Sequence, residues 1–362
     1  MELLNLDCLG QPLRLEGSMA GWQMLYWNNT PVSRLDASAE DSGEALHEFE
    51  LQAASGETII CRLQIQLSWQ PFELRYALYV NDQQIGEGSR NSKDIERQVP
   101  SQVSRPAKKS FSILGLGALG LKLLKSAKVI KAVLAGASIA AYSWFFSLPF
   151  ALALIVCLVI HEYGHIRAMK YFGMQTKGIY LIPFLGGLAL TEERINTRWQ
   201  DVVISLMGPC FGLFLSLLSL LAYWITGSMF FAGLSAFNAL LNLFNLLPIL
   251  PLDGGHILKS ITFSMNSVAG LALCLLAAAG GVVLSYYLNL TLLGFLLIIG
   301  CIEIFFEWRG RHNSALLPLD RYGQLFSAAW YLVVVGSLIS IIWYFSSSGD
   351  TLLGLPLKVL QS

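Results

Sequence analysis

Charged side chains are scarce in this chain of 362 residues. Only 13% of its residues are Asp, Glu, Lys or Arg, whereas 54% are hydrophobic, and the mean hydropathy is +0.56. Soluble domains carry nearer a quarter charged residues, so the composition excludes an ordinary soluble protein and indicates an integral membrane protein. The 24 basic and 24 acidic residues cancel to a formal net charge of zero, which says little about partners. We expect no nucleic-acid partner.

Cysteine is sparse and unpaired along the chain. No two cysteines stand at the short spacing of a structural zinc site, and most lie in apolar segments where Cys behaves as a small hydrophobe. We therefore expect no disulfide framework. The first residues also lack the basic start, apolar core and cleavage site of a signal peptide. The six cysteines are Cys8, Cys61, Cys157, Cys210, Cys274 and Cys301.

The first hundred residues differ from the rest because they are polar and strand-like. Three runs are rich in β-branched and aromatic residues: Trp22 to Trp27, Thr58 to Leu67 and Phe72 to Val80. Turn signals at Asn28-Asn29 and Asn81-Asp82 follow two of them. The sequences around these two turns resemble each other faintly, either because a hairpin was duplicated or by chance. Residues 1–100 are predicted to form a small all-β domain, an antiparallel sheet or sandwich, that binds or regulates.

A linker with a basic, interfacial segment is expected over residues 101–130, and a short tail over residues 348–362. Residues 131–347 contain apolar segments near the ~20 residues that a bilayer-spanning helix needs. They predict a multi-pass α-helical membrane domain with about six to seven spans. The candidate spans are Lys131–Phe146, Leu148–Tyr171, Val202–Thr226, Met229–Leu250, Val268–Leu288, Leu290–Phe306 and Leu325–Phe345.

The distribution of Lys and Arg predicts the orientation of these spans. Basic clusters lie before the first span, after the second and after the sixth, in residues 105–131, 167–177 and 309–321. Basic residues favour the cytoplasmic side, and all three clusters agree on one topology with the N-terminal domain in the cytoplasm. Because no eukaryotic targeting signal is present, we expect the cytoplasmic (inner) membrane of a bacterium.

The motif with the clearest chemistry is His161-Glu162-Tyr163-Gly164-His165, at the end of the apolar run from Leu148 to Ile160. Two His at i and i+4 project from one helix face and can reach one metal ion. The Glu between them can act on a metal-bound water. Ionisable groups are costly in a bilayer, so three together indicate a function, which we interpret as peptide-bond hydrolysis within the membrane.

A catalytic zinc site needs a third protein ligand and one open position. Tyr171 occupies the position at which one class of zinc proteases carries a third His. Three other side chains remain candidates, namely Glu192, Glu193 and Asp253, and His256 could substitute or support a ligand.

Asp253 is the strongest of these candidates because it ends a long apolar segment that returns to the same side of the membrane. Pro248 and Pro251 break the helix there, and Gly254-Gly255 are expected to let the chain turn tightly. Broken backbone at membrane depth is tolerated where it is buried in protein or lines a water-filled cavity.

Two motifs, His161-Glu162-x-x-His165 and Asn245-x-x-Pro248-x-x-Pro251-Leu252-Asp253-Gly254-Gly255, resemble those of the site-2 protease family of intramembrane zinc metalloproteases, peptidase family M50. Pro183 to Gly187 and Gly208-Pro209 resemble further elements of that family. The resemblance covers about residues 148–260 and implies a three-helix catalytic core. It also implies a Zn²⁺ cofactor held by His161, His165 and Asp253, Glu162 as catalytic base and acid, and Asn245 as a contact to substrate or to the site.

The substrate expected from this resemblance is a membrane-anchored protein in the lipid bilayer, cleaved within or near its transmembrane segment. We interpret Gly178 to Leu190 as a re-entrant strand that pairs with an unwound substrate. Gly186 and Gly187 would then help to clamp the substrate, or form only a turn. A partner protein could bind the N-terminal domain. The competing hypothesis is a metal-binding membrane scaffold or transporter without proteolysis.

Several polar and small residues have alternative interpretations. Ser235, Asn238, Asn242 and Asn245 recur at intervals of 3, 4 and 3, which draws a polar stripe on one helix face towards the bundle interior. For Asn238 and Asn242 we favour packing between helices. Helix packing is also the favoured interpretation of Gly208-x-x-x-Gly212, and His47 and His312 are expected at the surface.

Overall fold

The computed structural model describes residues 1–18, 21–36, 43–52, 58–98, 127–145, 147–182, 186–191, 195–265 and 316–346, with scattered helical positions between 266 and 315. The predicted spans Val268–Leu288 and Leu290–Phe306 fall largely outside these residues. So do Glu192, Glu193, His312, most of the linker and the C-terminal tail.

The N-terminal domain contains eight strands in two four-stranded antiparallel sheets, each with its strands in sequence order. Both sheets contribute to one hydrophobic cluster, in which Leu15 and Leu25 of the first sheet accompany Leu63 and Leu74 of the second. The predicted all-β domain is confirmed. The strands are β1 (Glu2–Cys8), β2 (Gln11–Gly17), β3 (Gln23–Trp27), β4 (Thr30–Leu35), β5 (Glu44–Gln52), β6 (Thr58–Trp69), β7 (Phe72–Val80) and β8 (Gln83–Asn91).

The two echoing segments form the same kind of turn. Asn28 and Asn29 have φ angles of 46° and 62° between β3 and β4, and Asn81 and Asp82 have 48° and 63° between β7 and β8. Positive φ at both central residues of a two-residue loop is the type I′ hairpin geometry, which Asn and Asp tolerate best. The echo therefore has a conformational cause at equivalent places in the two sheets.

Seven helices and one further hairpin lie in the described part of the remaining chain. Three of these helices, α3, α4 and α7, are long and apolar enough to cross a membrane, and the chain is an integral membrane protein. The elements are α1 (Ser92–Glu96), α2 (Ala127–Phe145), α3 (Leu148–Tyr171), β9 (Thr176–Ile182), β10 (Gly186–Thr191), α4 (Arg198–Thr226), α5 (Met229–Asn245), α6 (Asp253–Met265) and α7 (Arg321–Ser346).

Helix α4 is the centre of the membrane bundle, since it contacts α3, α5, α6 and α7. Its inner face carries Val202 and Leu206, which belong to one cluster with residues of α5 and α7. Its outer face carries Phe214 and Leu221, which are exposed in the described chain and suited to contact lipid. A polar or charged side chain on the inner face therefore lies among protein atoms.

Helix α5 is shorter than predicted. The predicted span was Met229–Leu250, but the helix ends at Asn245. It ends there because Pro248 and Pro251 lack the N–H that would continue the hydrogen-bond ladder. The irregular segment that follows is buried at Leu246 and Leu250. The helical path resumes only at Asp253, the first residue of α6.

A single re-entrant strand was expected between α3 and α4, and the structure shows an antiparallel hairpin instead. Strands β9 and β10 pair with Ile182 opposite Gly186. Ile179 of β9 packs with Ile155 and Leu158 of α3, so the hairpin lies beside the helix that carries the His motif.

The β domain is attached to the start of α4 by hydrogen bonds. Nδ2 of Asn196 donates to the carbonyls of Ile95 and Gln98, at 3.1 and 2.7 Å, and Nε2 of Gln200 donates to the carbonyl of Glu96 at 2.9 Å. Leu317 adds an apolar contact, because it is part of the core of the β domain. These contacts place the β domain at the end of the bundle where α4 begins.

His47 was expected at the surface, and the structure corrects this expectation. It lies on β5, whose alternating pattern directs His47 and Phe49 inward, and its side chain is fully buried. Its ring nitrogens lie 2.9 Å from Oγ of Ser33 and 3.1 Å from Oε1 of Gln23. Burial lowers the pKa of His47 to about 4, from an ordinary value of 6.5.

The buried His47 predicts that acid destabilises the β domain. Because the pKa is lower in the folded state, the unfolded chain binds the proton more tightly between pH 6.5 and 4. The contribution of His47 is therefore complete above pH 6.5 and is lost as the pH falls towards 4. The full effect on the free energy of unfolding is about 3 kcal/mol, since each pKa unit corresponds to about 1.4 kcal/mol.

Hydrogen exchange of the β5 and β6 amides in the detergent-solubilised chain, between pH 7.5 and 4.5, measures this loss once intrinsic exchange rates are divided out. His47→Gln removes the titration and should show a flatter pH dependence. Equal pH dependence in both proteins would contradict the assignment.

Candidate metal centre

Two imidazoles and one carboxylate meet at the start of α6. His161 and His165 lie one turn apart on α3, both buried, and their Nε2 atoms are 3.1 Å apart. Asp253 comes from a sequence position 88 residues beyond His165, and its Oδ2 atom lies 3.3 Å from Nε2 of His161 and 3.6 Å from Nε2 of His165. The broken helix thus returns a carboxylate to the His pair.

Gly254 and Gly255 allow Asp253 to reach this position. We expected them to form a tight turn, but they are helical residues without positive φ. Their role is close backbone approach. A Cβ on Gly254 would lie 2.1 Å from the carbonyl oxygen of Leu246, and one on Gly255 would lie 2.3 Å from the carbonyl carbon of Ile249. Any larger residue would push the first turn of α6 away from the preceding segment.

The Nδ1 atoms of both imidazoles face away from Asp253. Nδ1 of His165 lies 2.7 Å from the carbonyl oxygen of Ile204 on α4, and Nδ1 of His161 lies 2.8 Å from Oδ1 of Asn242 on α5. An imidazole nitrogen that faces a carbonyl carries the proton, which leaves the other nitrogen with a lone pair. The Nε2 atoms thus present electron pairs beside a carboxylate oxygen, an arrangement that a cation would stabilise.

The spacing of these three atoms fits the ligand positions of a tetrahedral zinc ion. Zn–N and Zn–O distances near 2.0–2.1 Å place neighbouring ligand atoms of a tetrahedron roughly 3.3 Å apart. The observed separations are 3.1, 3.3 and 3.6 Å. Two imidazoles and one carboxylate also match the ligand types of hydrolytic zinc sites, and three protein ligands leave a fourth position open. Among the described residues, no other group of three such side chains is close enough to hold a metal.

Gly208 and Gly212 of α4 make room for this arrangement. A Cβ on Gly208 would lie 2.4 Å from Nε2 of His165 and 3.0 Å from Cε1 of His161, and one on Gly212 would lie 2.0 Å from Oδ1 of Asn242. Helix packing was the expected role of these two glycines. It does not describe their role fully, because both also leave space for polar side chains of the site. One signal was available in the sequence, since the four-residue spacing of these glycines repeats the spacing of the two histidines.

The remaining predicted site residues lie on three different elements: α3, the end of α5 and the β9–β10 hairpin. Glu162 is buried next to His161, and its charge acts on that imidazole. Asn245 is the last residue of α5. Gly186 and Gly187 begin β10, on the hairpin beside α3.

Asp201 is a residue of the site region that sequence reasoning missed. It is buried in the first turns of α4, where its Oδ2 atom accepts a hydrogen bond from Oγ of Ser260 and its Oδ1 atom lies 3.5 Å from Nδ1 of His256. His256 is thus directed towards α4. The signal for Asp201 was a carboxylate at the edge of an apolar segment, which requires a partner when it is buried.

A His-Glu-x-x-His helix and a carboxylate from a broken helix, both within a membrane bundle, define a membrane-embedded site of the zinc-hydrolase type. The sequence profile described as peptidase family M50 matches residues 149–229 and 223–270. This match over the membrane core confirms the resemblance seen in the motifs.

Three relatives share similarity with the chain. A candidate zinc metalloprotease from Synechocystis is 39% identical over 128 residues, which is 34% of each protein. A zinc metalloprotease of Methanocaldococcus jannaschii is 33% identical, over 36% of this chain and 38% of the relative. Stage IV sporulation protein FB of Bacillus subtilis is 27% identical, over 47% of this chain and 63% of the relative. The similarity thus covers less than two thirds of each of these relatives.

The space left by Gly208 predicts that Gly208→Ala disrupts the metal site. The added methyl group would occupy the position of the imidazoles, so both rings must move and the bound zinc should fall well below one ion per chain. Metal analysis of purified protein measures this ratio.

Gly233→Ala on α5 is the matched control. Its Cβ would make an ordinary 3.6 Å contact with Phe150, so its zinc content should equal that of the wild type. Full zinc content in Gly208→Ala would show that the histidines lie elsewhere.

Proposed function

We propose that this chain is an intramembrane zinc metalloprotease that cleaves membrane-anchored proteins within or near their transmembrane segments. The observation that supports this most directly is the mutual spacing of the Nε2 atoms of His161 and His165 and the Oδ2 atom of Asp253. The match of the core to the profile of peptidase family M50 and the names of two relatives as zinc metalloproteases agree with it.

In this proposal His161, His165 and Asp253 hold the zinc ion, and Glu162 is the catalytic base and acid. When bound, zinc supplies a Lewis acid that polarises the scissile carbonyl and lowers the pKa of water towards ~7. Glu162 accepts a proton from the attacking water and returns it to the departing amine nitrogen. Its burial beside His161 strengthens these charge interactions, because the local dielectric constant is low.

Substrate access requires an unwound segment, since an intact helix engages its carbonyls in hydrogen bonds. The β9–β10 hairpin offers strand backbone beside α3, and Ile179 packs next to Ile155 and Leu158, one to two turns before His161. An extended substrate could add to this hairpin as a further strand. Gly186 and Gly187 would lie along that path, and Asn245 would contact the substrate from the end of α5.

The position of the β domain supports a site that opens to the cytoplasm. The β domain is bonded to the start of α4 through Asn196 and Gln200, and the carbonyl of Ile204 that contacts His165 lies one turn further along the same helix. The metal site and the β domain therefore share one end of the bundle. We place that end on the cytoplasmic side because of the Lys and Arg clusters. The apolar segments support six to seven spans in all, and the lack of a eukaryotic targeting signal supports a bacterial inner membrane.

For the β domain we propose a binding or regulatory role towards a cytoplasmic region of the substrate or a partner protein. Its hydrogen bonds to α4 would keep a captured segment close to the site.

The proposed chemistry predicts that Glu162→Gln abolishes cleavage and keeps zinc. The amide cannot accept the proton of water, so the rate should fall at least about 100-fold, whereas all three ligands remain. The assay measures cleavage of a membrane-anchored substrate in liposomes, together with zinc content.

Tyr163→Phe, at the next and partly exposed position, is the matched control and should keep full activity. A wild-type chain that binds zinc and cleaves none of the membrane proteins that accumulate in a Glu162→Gln strain would favour the scaffold or transporter hypothesis.

The ligand assignment predicts that Asp253→Ala loses zinc. Removal of a direct ligand should weaken binding beyond the about 10–100-fold that is typical for an outer partner of a ligand. Competition with a chelator measures the affinity. Asp36→Ala, an exposed carboxylate of the β domain, should bind as the wild type does. Unchanged affinity in Asp253→Ala would move the third ligand to Glu192, Glu193 or His256.

A further inference from the structure

We propose that Asn242 is a positioning residue that holds His161 in the tautomer able to bind a metal. The inference rests on the proposed zinc site and assigns a new role within it. Asn242 is fully buried on α5, 81 residues from His161, and its Oδ1 atom lies 2.8 Å from Nδ1 of that ring. Which of the two ring nitrogens of His161 carries the proton decides whether Nε2 has a lone pair for zinc.

The orientation of the Asn242 amide follows from its other end. Its Nδ2 atom lies 2.8 Å from the backbone carbonyl oxygen of Asn238, and a carbonyl oxygen can only accept. The group that faces this carbonyl must be the NH₂, so the oxygen of the amide faces His161. That oxygen can only accept as well. Nδ1 of His161 therefore carries the proton, and its Nε2 atom carries a lone pair towards Asp253.

The chain of hydrogen bonds continues to the backbone of α4. Oδ1 of Asn238 accepts from Asn242 at 3.0 Å, and Nδ2 of Asn238 donates to the carbonyl of Gly212 and to Oγ of Ser216, each at 2.8 Å. The hydroxyl of Ser235 donates to the carbonyl of Ser216. Backbone carbonyls cannot rotate, so they set the direction of every amide between them and His161.

The polar stripe thus divides into two roles. Within the described part of the chain, Asn238 and Ser235 bond only to groups of α4 and α5, which is the packing role expected for such residues in membrane helices. Asn242 differs, because its oxygen contacts a proposed metal ligand. Gly212 contributes to the same arrangement because it leaves space for the Asn242 amide. A Cβ there would lie 2.0 Å from that oxygen.

The alternative tautomer would close the site. Without an acceptor at Asn242, a proton on Nδ1 of His161 would be buried and unsatisfied, which is costly. The proton would move to Nε2, which lies 3.3 Å from Oδ2 of Asp253 and could donate to it. Two of the three ligand atoms would then be engaged with each other. Asn242 prevents this internal bond, which keeps both atoms available for zinc.

The test uses the full chain in detergent and two readouts. Chelator competition measures zinc affinity, and ¹⁵N NMR of labelled histidines in the metal-free protein reports the tautomer of His161. Asn242→Leu keeps the volume and removes the acceptor, so zinc should bind about 10–100-fold more weakly, and the His161 proton should shift to Nε2. Should that variant misfold, Asn242→Ala carries the same expectation.

Two further variants serve as controls. Asn242→Asp keeps an oxygen acceptor, so His161 should retain its Nδ1 proton and zinc affinity should remain above that of Asn242→Leu. Ser235→Ala alters the same stripe at a residue that is separated from Asn242 by Asn238 and Ser216. It should change neither readout.

The proposal is overturned if Asn242→Leu keeps the Nδ1 proton and wild-type zinc affinity, or if Ser235→Ala weakens zinc binding as much. A wild-type chain that binds no zinc would instead refute the proposed function, while the tautomer of the metal-free protein would still test the role of Asn242.

Discussion

The structure depends on bringing three electron-pair donors to within 3.6 Å of one another inside an apolar bundle. Such a cluster repels itself and is expensive to bury, so every surrounding contact must hold its members in place. Helix α3 supplies the two imidazoles, a broken helix returns Asp253, and carbonyl groups on α4 and α5 occupy the outward-facing nitrogens. A cation turns this costly arrangement into a favourable one, which is the physical basis for a metal centre at this place.

Helix α4 connects all parts of this arrangement. Its first turn is bonded to the β domain through Gln200, and the next residue, Asp201, holds α6 through Ser260. One turn later the carbonyl of Ile204 orients His165, and Gly208 and Gly212 leave space for the imidazoles and for Asn242. A 29-residue helix thereby links the β domain to a buried site through rigid backbone. A displacement at either end of this helix would therefore reach the other end directly.

Much of the fold follows from local patterns. The helix over Leu148–Tyr171 has the predicted limits, because a continuous apolar run after Pro149 allows no other element of that length. Strands β6 and β7 follow from alternation and turn residues, and the end of α5 follows from its prolines. The hairpin at β9–β10 was predicted only as one strand, because the pattern of an apolar β segment does not say where it reverses.

Some features of the metal site follow from short sequence patterns, whereas others depend on contacts between distant segments. A five-residue motif on one helix and a proline-broken segment are visible in the chain itself, because a 3.6-residue period and the chemistry of Pro act over a few residues. The burial of His47, the partner of Asp201, the space kept by Gly208 and the acceptor on Asn242 are not visible there. Each arises from contacts between segments that are 14 to 81 residues apart in the chain, and no local period records such contacts. Sequence therefore identifies the donors of the site, whereas packing between distant helices selects which atoms of those donors face one another.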